Sequence, residues 1–347
     1  MNIGEKLNMT MLCDFYELTM GNGYFENGFK DKITYFDVFF RRVPDKGGFA
    51  IAAGLEQLIR YIEDLHFTPE DIAYLRGRNL FCEEFLEYLA NFRFTGDIYA
   101  VPEGTPVFPK EPLVVVRAPA IEAQLIETFT LLTVNHQSLI ATKANRITQA
   151  ARGRTVLEFG SRRAQGSDAA ITGARAAYIG GCAGTACTIS DQLYGVPAGG
   201  TMAHAWVQMF DSEYEAFKTY CEIYPTNATL LVDTYNTLKS GIPNAIRAFN
   251  EVLKPKGITK CGIRLDSGDM AYLTRNSCHH IHSIRATNTD SHHAQSACIR
   301  GIVISSTEKG KVTYVDLVGA KNASGQNRKG YNPPDSKWRR TTNQRNH

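Results

Sequence analysis

Long apolar runs are missing from this chain of 347 residues. No stretch approaches the ~18 consecutive apolar residues that a membrane-spanning helix needs. The polar start over residues 1–6 also lacks the apolar core of a secretory signal peptide. We therefore expect a protein that binds no membrane and works in the cytoplasm.

Cysteine is present, but never in the patterns that indicate a disulfide framework or a zinc site. The eight cysteines include no Cys-x-x-Cys pair and no tight cluster with histidine. We expect reduced, mostly buried thiols and no structural metal site. Histidine is scarce as well, because only three of the nine histidines precede residue 276.

The chain also lacks a basic stripe interleaved with aromatic residues. Its net charge of +3 divides unevenly: residues 276–347 carry 11 Lys and Arg against 4 Asp and Glu, or +7, and residues 1–275 carry 27 against 31, or −4. A mildly acidic body without a basic groove is a poor match for the phosphate backbone of a nucleic acid. We expect no nucleic-acid partner.

Residues 1–120 have a mixed pattern of helical and strand-like segments that predicts a β-rich α+β domain. Apolar residues at helical spacing predict a helix within 8–25, and a run of β-branched and aromatic residues predicts a strand over 33–42. Thr68 followed by Pro69 is typical of a helix start. Residues 95–117 alternate short strands with Pro and Gly turns.

From residue 121 to 275, strand-like runs at 155–159, 229–232 and 261–265 alternate with helical patterns. This alternation favours parallel strands joined by helical crossovers, which we interpret as an irregular, incomplete α/β barrel. Residues 276–347 break the pattern, contain six of the nine histidines and carry the basic excess. We expect an atypical basic tail that is disordered or translated from a shifted reading frame.

Charged residues follow each of these three apolar runs. The three strand ends are Phe159–Arg163, Asp233–Tyr235 and Arg264–Asp269, and a fourth stretch, Gly199–Trp206, places His204 among small residues. Ligands in α/β folds bind at the carboxyl ends of parallel strands, so we expect these segments to meet. A single histidine in apolar surroundings is usually a core or helix-start residue, and the neighbouring charges favour a ligand-binding role instead.

Seven segments together resemble nicotinate phosphoribosyltransferases, over about residues 8–275. Each segment alone is a weak signal, whereas their order and spacing are highly specific. The segments are Asp14–Met20, Phe36–Arg41, Glu103–Pro109, Glu158–Gly166, Gly200–His204, Asp233–Tyr235 and Arg264–Asp269. The resemblance implies a type II phosphoribosyltransferase-like barrel.

The resemblance also implies a reaction. Such enzymes make nicotinate mononucleotide and pyrophosphate from nicotinate and phosphoribosyl pyrophosphate, the first step of NAD salvage from nicotinate. They couple this reaction to ATP hydrolysis through a phosphohistidine, and the resemblance implies that His204 is this histidine. Asp233 would orient the imidazole. Mg²⁺ would arrive with the diphosphate, mostly water-bound.

Substrate-binding roles follow from the same resemblance. Guanidinium groups would hold the diphosphate, Asp266 would accept the ribose hydroxyls, and an aromatic pair would grip the pyridine ring. The guanidinium groups belong to Arg162, Arg163 and Arg264, and the aromatic pair is Phe159 and Tyr16. Tyr16 would reach in from a second subunit with Asp14 and Arg41, which implies a homodimer with shared active sites.

Two departures from the family pattern leave alternatives open. Ala205 stands where the family usually has serine after the histidine, and no Gly-rich loop for the ribose 5′-phosphate is evident after Arg275. The alternatives are a truncated, inactive relative that acts as a binding or dimerising module, and a nicotinamide phosphoribosyltransferase.

Overall fold

The computed structural model describes residues 8–43, 46–258, 260–277, 299–308 and 311–317. Helices and short strands are mixed along the whole of this described part. None of its helices is both long enough and apolar enough to cross a membrane.

The N-terminal part packs helices against two small antiparallel sheets. One sheet has the strand order β1-β5-β3 and the other pairs β2 with β4. The elements are α1 Phe15–Glu26, β1 Ile33–Phe39, β2 Ala50–Ile51, α2 Leu55–Glu63, α3 Pro69–Gly77, α4 Glu83–Ala90, β3 Asp97–Ala100, β4 Pro106–Val107, β5 Pro112–Pro119 and α5 Ala120–Leu125. The predicted α+β pattern is confirmed.

Local sequence accounts for the boundaries of these elements. The Thr68 side chain accepts a hydrogen bond from the Asp71 amide and the Asp71 carboxylate accepts one from the Thr68 amide, so α3 begins with the reciprocal capping arrangement. Asp14 is the N-cap of α1, which starts later than the apolar spacing suggested. Fully buried aromatic and aliphatic side chains, among them Phe85, Phe92 and Leu58, form the core beneath these helices.

A 24-residue helix, α6 (Glu127–Ala150), leads into the second half, where strands and helices alternate. The elements are β6 Leu157–Glu158, α7 Ser167–Ile179, β7 Gly184–Thr185, α8 Thr188–Tyr194, α9 His204–Gln208, α10 Glu213–Ile223, β8 Thr229–Leu231, α11 Ile242–Ala248, β9 Cys261–Leu265, β10 Ile299–Glu308 and β11 Lys311–Leu317. A further helix covers 270–277.

The strands of this half form two parallel groups. β6 pairs with β7, while β8, β9 and β10 pair side by side in parallel and β11 adds an antiparallel edge. All five residues of β9 are buried, as expected for a parallel strand covered on both faces. The predicted α/β alternation is confirmed, and the described strands do not close into a barrel.

Gly241 allows the chain to return over the end of β8. A Cβ at this position would lie 1.8 Å from the carbonyl oxygen of Val232, so any larger residue would push the following helix away from the strand. The π-helical turn at Thr237–Gly241 therefore sits directly against the strand end that carries Asp233 and Thr234.

The expectation for residues 276–347 needs correction in part. Helix 270–277 crosses the proposed boundary, and β10 and β11 form an antiparallel hairpin that extends the sheet beyond β9. β-Branched residues cluster in both strands, at 302–304 and 312–315, and they favour strands although the surrounding sequence is polar. The remainder of 276–347 lies outside the described residues.

Ion pairs of Arg175 with Glu103 and Glu56 join the two halves. Glu103, in the turn before β4, accepts hydrogen bonds from Arg175 of α7 at 2.9 and 2.6 Å and from the amides of Gly54 and Leu55 at the start of α2. Arg175 also contacts Glu56 at 2.5 Å. Burial opposes ionisation of Glu103, yet the bonds from Arg175 and the two amides outweigh it and hold the pKa of this carboxyl below its usual range.

We expect Glu103→Gln to lower the free energy of unfolding by roughly 3 kcal/mol, because it leaves the largely buried Arg175 without its main counter-charge. The folded pKa of Glu103 is depressed, so this stabilisation is present above the ordinary glutamate pKa and is lost as pH falls through the folded value. Urea denaturation of parent and variant at neutral and acidic pH measures both effects.

A matched control is Arg76→Met, which breaks the exposed Arg76–Glu83 pair and should change the unfolding midpoint little. A Glu103→Gln protein as stable as the Arg76→Met protein at neutral pH would show that the Glu103–Arg175 pair does not hold the two halves together.

Candidate active site

His204 lies at the first position of α9, after an extended loop at Gly199–Ala203. Its side chain is 38% exposed, so one side of the imidazole faces solvent. Nδ1 lies 3.1 Å from Oγ1 of Thr234, and Nε2 lies 3.6 Å from Oδ2 of Asp266. Both ring nitrogens therefore have a polar neighbour, which restricts the orientation of the ring.

Parallel pairing of β8 with β9 explains why these residues meet. Leu231 is in register with Arg264, and the amide of Val232 donates to the carbonyl of Arg264 at 3.1 Å. Thr234 and Asp266 follow the two strands at the same edge of the sheet. The prediction that these strand ends converge with the His204 loop is confirmed by these contacts.

Arg264 ties the histidine loop to this edge. Its guanidinium donates to Oγ1 of Thr201 at 3.0 Å, to the carbonyl of Met202 at 3.3 Å and to Oδ1 of Asp266 at 2.7 Å. Arg264 is only 8% exposed. The sequence suggested a diphosphate ligand, whereas the structure gives Arg264 bonds that brace the loop and leave Oδ2 of Asp266 directed at His204.

The role of Asp233 in orienting His204 stays a prediction, and the structure gives the contacts that Asp233 makes. Oδ2 of Asp233 accepts hydrogen bonds from the Asp266 amide at 2.8 Å and from the Ser267 hydroxyl at 2.7 Å. Among the described residues, no hydrogen bond or ion pair joins Asp233 to His204. Asp233 instead caps the turn after β9, and Asp266 is the carboxylate that faces the imidazole.

Phe159 joins this cluster from β6. The guanidinium carbon of Arg264 lies 6.0 Å from the centroid of the Phe159 ring, which is half-buried. Arg162 and Arg163 follow on a 3-10 turn and are exposed. Neither guanidinium makes an ion pair within the described part of the chain, so both keep their donors available for an anion.

Asp14, Tyr16 and Arg41 lie in the N-terminal part and are exposed. The Tyr16 hydroxyl donates to Oε1 of Glu127 at 3.1 Å. Within the described residues, no hydrogen bond or ion pair connects these three side chains to His204. The structure of one chain thus leaves them outside the cluster around the histidine.

Sequence reasoning missed the hydroxyl groups of this site, which belong to Thr201, Thr234 and Ser267. Thr234 is next to Asp233 and Ser267 is next to Asp266, while Thr201 lies three residues before His204. A hydroxyl close to the charged residues of these segments is the signal that could have indicated the three side chains. Such a hydroxyl can form a hydrogen bond either to a ligand or to the loops that hold the ligand.

Comparison with known proteins shows what the chain is similar to. Residues 11–135 match the family of the nicotinate phosphoribosyltransferase (NAPRTase) N-terminal domain. A nicotinate phosphoribosyltransferase of Mycobacterium tuberculosis is 45% identical over 265 residues, which cover 76% of this chain and 56% of that protein. A Bacillus subtilis nicotinate phosphoribosyltransferase is 46% identical over 268 residues, or 77% and 54%. Over about three-quarters of its length, the chain is thus similar to nicotinate phosphoribosyltransferases.

The fold agrees with this family. The crystal structure of human nicotinic acid phosphoribosyltransferase superposes with a TM-score of 0.73 at 27% identity, covering 87% of this chain and 73% of the human one. The chain spans about half the length of the two bacterial relatives. The similarity extends over both the N-terminal part and the strand ends around His204.

We expect Thr234→Val to loosen the His204 ring, because it removes the hydroxyl at Nδ1 and preserves volume. Thr234→Ser keeps the hydroxyl and is the matched control. Nitrogen-15 NMR of labelled histidine should show one imidazole tautomer in the parent and in Thr234→Ser, and a mixture in Thr234→Val. Identical tautomer populations in all three proteins would rule out Thr234 as the group that selects the tautomer.

Proposed function

We propose that this chain carries the phosphohistidine site of a nicotinate phosphoribosyltransferase. The reaction joins the ring nitrogen of nicotinate to C1 of phosphoribosyl pyrophosphate and releases pyrophosphate, with hydrolysis of ATP. The observation that carries the proposal is the placement of His204, solvent-accessible on one side and flanked by Thr234 and Asp266.

The chemistry at His204 is phosphoryl transfer. A neutral imidazole nitrogen attacks the γ-phosphorus of ATP, the bond to the bridging oxygen breaks, and ADP leaves with the electron pair. The ring becomes cationic as the new bond forms. Asp266 faces this ring at 3.6 Å and would stabilise the positive charge, while Arg264 holds the Asp266 carboxylate in its orientation.

The substrates fit the remaining residues. Phe159 presents a half-buried aromatic face beside the cluster, suited to a flat pyridine ring. Arg162 and Arg163 offer forked donors to the diphosphate or to the carboxylate of nicotinate. Asp266 lies where it can also accept the ribose hydroxyls. The energy of these contacts would position the ring nitrogen against the sugar carbon.

Magnesium fits the carboxylates of the site. Oδ1 of Asp233 is buried and accepts no hydrogen bond from any described residue, so it is an available anionic oxygen next to Asp266. Mg²⁺ in proteins usually binds through one or two carboxylates together with substrate phosphates and water. When bound, the ion would neutralise charge on the diphosphate.

A homodimer with shared sites would bring in the N-terminal residues. Asp14, Tyr16 and Arg41 are exposed, and α1 also exposes Phe15 and Met20. Exposed aromatic and apolar side chains beside polar ones are typical of an interface between subunits. We propose that Tyr16 of one subunit meets Phe159 of the other across the pyridine ring, with Asp14 and Arg41 nearby.

A binding or dimerising module is the second candidate function, and the observation that favours it is the exposure of Phe15 and Met20 on α1. An assay with nicotinate, phosphoribosyl pyrophosphate, ATP and Mg²⁺ separates the candidates. Turnover supports the enzyme, whereas a folded protein that binds nicotinate without turnover supports the module. The same assay with nicotinamide in place of nicotinate tests the alternative of a nicotinamide phosphoribosyltransferase.

We expect His204→Ala to abolish the stimulation of product formation by ATP and to leave ATP-independent transfer, because only the coupling passes through the phosphohistidine. His66→Ala, which alters an exposed histidine of the N-terminal part, is the control and should behave like the parent. Nicotinate-dependent ATP hydrolysis that persisted in His204→Ala would refute the assignment.

We also expect that mixing Tyr16→Ala and His204→Ala chains restores up to roughly a quarter of the sites, since each mixed dimer would contain one intact shared site. The measurement is ATP-coupled activity after subunit exchange, compared with each variant alone. A mixture no more active than its components, with exchange demonstrated by mass-tagged chains, would place the complete site within one subunit.

A further inference from the structure

Glu17 is a buried carboxylate in the middle of an exposed segment. The residues around it in α1, Phe15, Tyr16 and Met20, are about two-fifths exposed, whereas Glu17 is 0% exposed. Burial raises the pKa of Glu17, and hydrogen bonds from Thr128 counteract part of that effect. Burying a carboxylate is costly, so its contacts need a physical explanation.

Those contacts join α1 to the start of α6. Oε1 of Glu17 accepts hydrogen bonds from the Thr128 amide at 3.1 Å and from the Thr128 hydroxyl at 2.6 Å. The same hydroxyl oxygen accepts a bond from the Asp14 amide at 3.1 Å. Glu17 therefore caps the N-terminus of α6, whose own N-cap residue, Ile126, provides no side-chain bond.

A second tether lies beside the first. The Tyr16 hydroxyl donates to Oε1 of Glu127, whose Oε2 accepts from the Gln124 side chain at 2.7 Å. Phe129, one residue beyond Thr128, stacks on Tyr61 of α2 with ring centroids 3.8 Å apart. The first turn of α6 is thus anchored in the core and gives α1 a rigid support.

We propose that Glu17 and Thr128 form a positioning clamp that holds the segment Asp14–Tyr16 in the orientation needed to bind the substrate of a second subunit. The clamp deepens the proposed function and rests on it for the identity of that substrate, a pyridine carboxylate. Glu17 and Thr128 are positioning residues, because their described contacts lie within the protein and they act through Asp14 and Tyr16.

Geometry favours positioning over simple core packing. The Thr128 hydroxyl is used twice, as donor to Glu17 and as acceptor from the Asp14 amide, so it fixes the N-cap residue of α1 itself. An apolar pair of similar size would fill the same space but would leave that amide unrestrained. The orientation of Tyr16 follows from the N-cap position, two residues earlier on the same first turn.

The first test uses three single variants at threonines of α6. Thr128→Val removes the hydroxyl at nearly constant volume, and Thr128→Ser restores it. Thr142→Val is the matched control, because the Thr142 hydroxyl also joins a backbone amide, that of Ile51 at 2.8 Å, to α6, but away from α1. Amide hydrogen exchange of peptides covering 12–18 is the readout.

The clamp predicts roughly tenfold faster exchange in this segment for Thr128→Val, the size expected for one lost hydrogen bond, and parental exchange for Thr128→Ser and Thr142→Val. Unchanged exchange in Thr128→Val would overturn the clamp. An equal increase in Thr142→Val would do the same, because it would mark a global loss of stability.

The second test measures coupling to Tyr16. Thr128→Val should raise the dissociation constant for nicotinate, titrated calorimetrically against the full chain, by about fivefold to tenfold, and should add little to the effect of Tyr16→Phe in the double variant. Additive effects of Thr128→Val and Tyr16→Phe on this dissociation constant would overturn the proposal that Thr128 acts through Tyr16. A parent without turnover would count against the proposed function alone, since the exchange result is independent of catalysis.

Discussion

The candidate site depends on the hydrogen bonds that the buried guanidinium of Arg264 donates. This guanidinium reaches from β9 to the loop before His204 and to Asp266, and its burial leaves these bonds little competition from water. Among the described residues, Arg264 bonds both to the loop before His204 and to Asp266. The predicted role of Arg264 in binding the diphosphate stays a prediction.

The two carboxylates of the site, Asp233 and Asp266, have different hydrogen-bond partners. Asp233 receives the backbone amide of Asp266 and the hydroxyl of Ser267, so it shapes the turn after β9. Asp266 is held by Arg264 on one oxygen and faces His204 with the other. Two acidic residues at neighbouring strand ends thus have distinct partners.

Two carboxylates that cap helix N-termini link the N-terminal part to the rest of the chain. Glu103 completes the start of α2 and pairs with Arg175, while Glu17 completes the start of α6 and fixes α1. In both cases a carboxylate satisfies amides at a helix N-terminus that the helix cannot satisfy itself. The same contacts that stabilise the fold therefore set where the exposed residues of α1 stand.

Periodicity predicted β9 with the observed bounds, and the start of α3 followed from Thr68 and Pro69. The convergence of His204 with Asp266 followed from parallel strand order. The partner of the imidazole could not be predicted, because Asp233 and Asp266 both follow buried strands and only side-chain direction distinguishes them. The strands β10 and β11 were missed because their β-branched runs stand in polar surroundings.

The central claim is that His204 accepts a phosphoryl group at the edge formed by β8 and β9. Phosphorus-31 NMR of the full chain incubated with ATP and Mg²⁺, with mass spectrometry to locate the modification, tests it directly. We expect one acid-labile phosphoramidate, on His204, that disappears when nicotinate and phosphoribosyl pyrophosphate are added. A protein that binds ATP yet carries no phosphoramidate, or carries it on another residue, would refute the proposed role of His204.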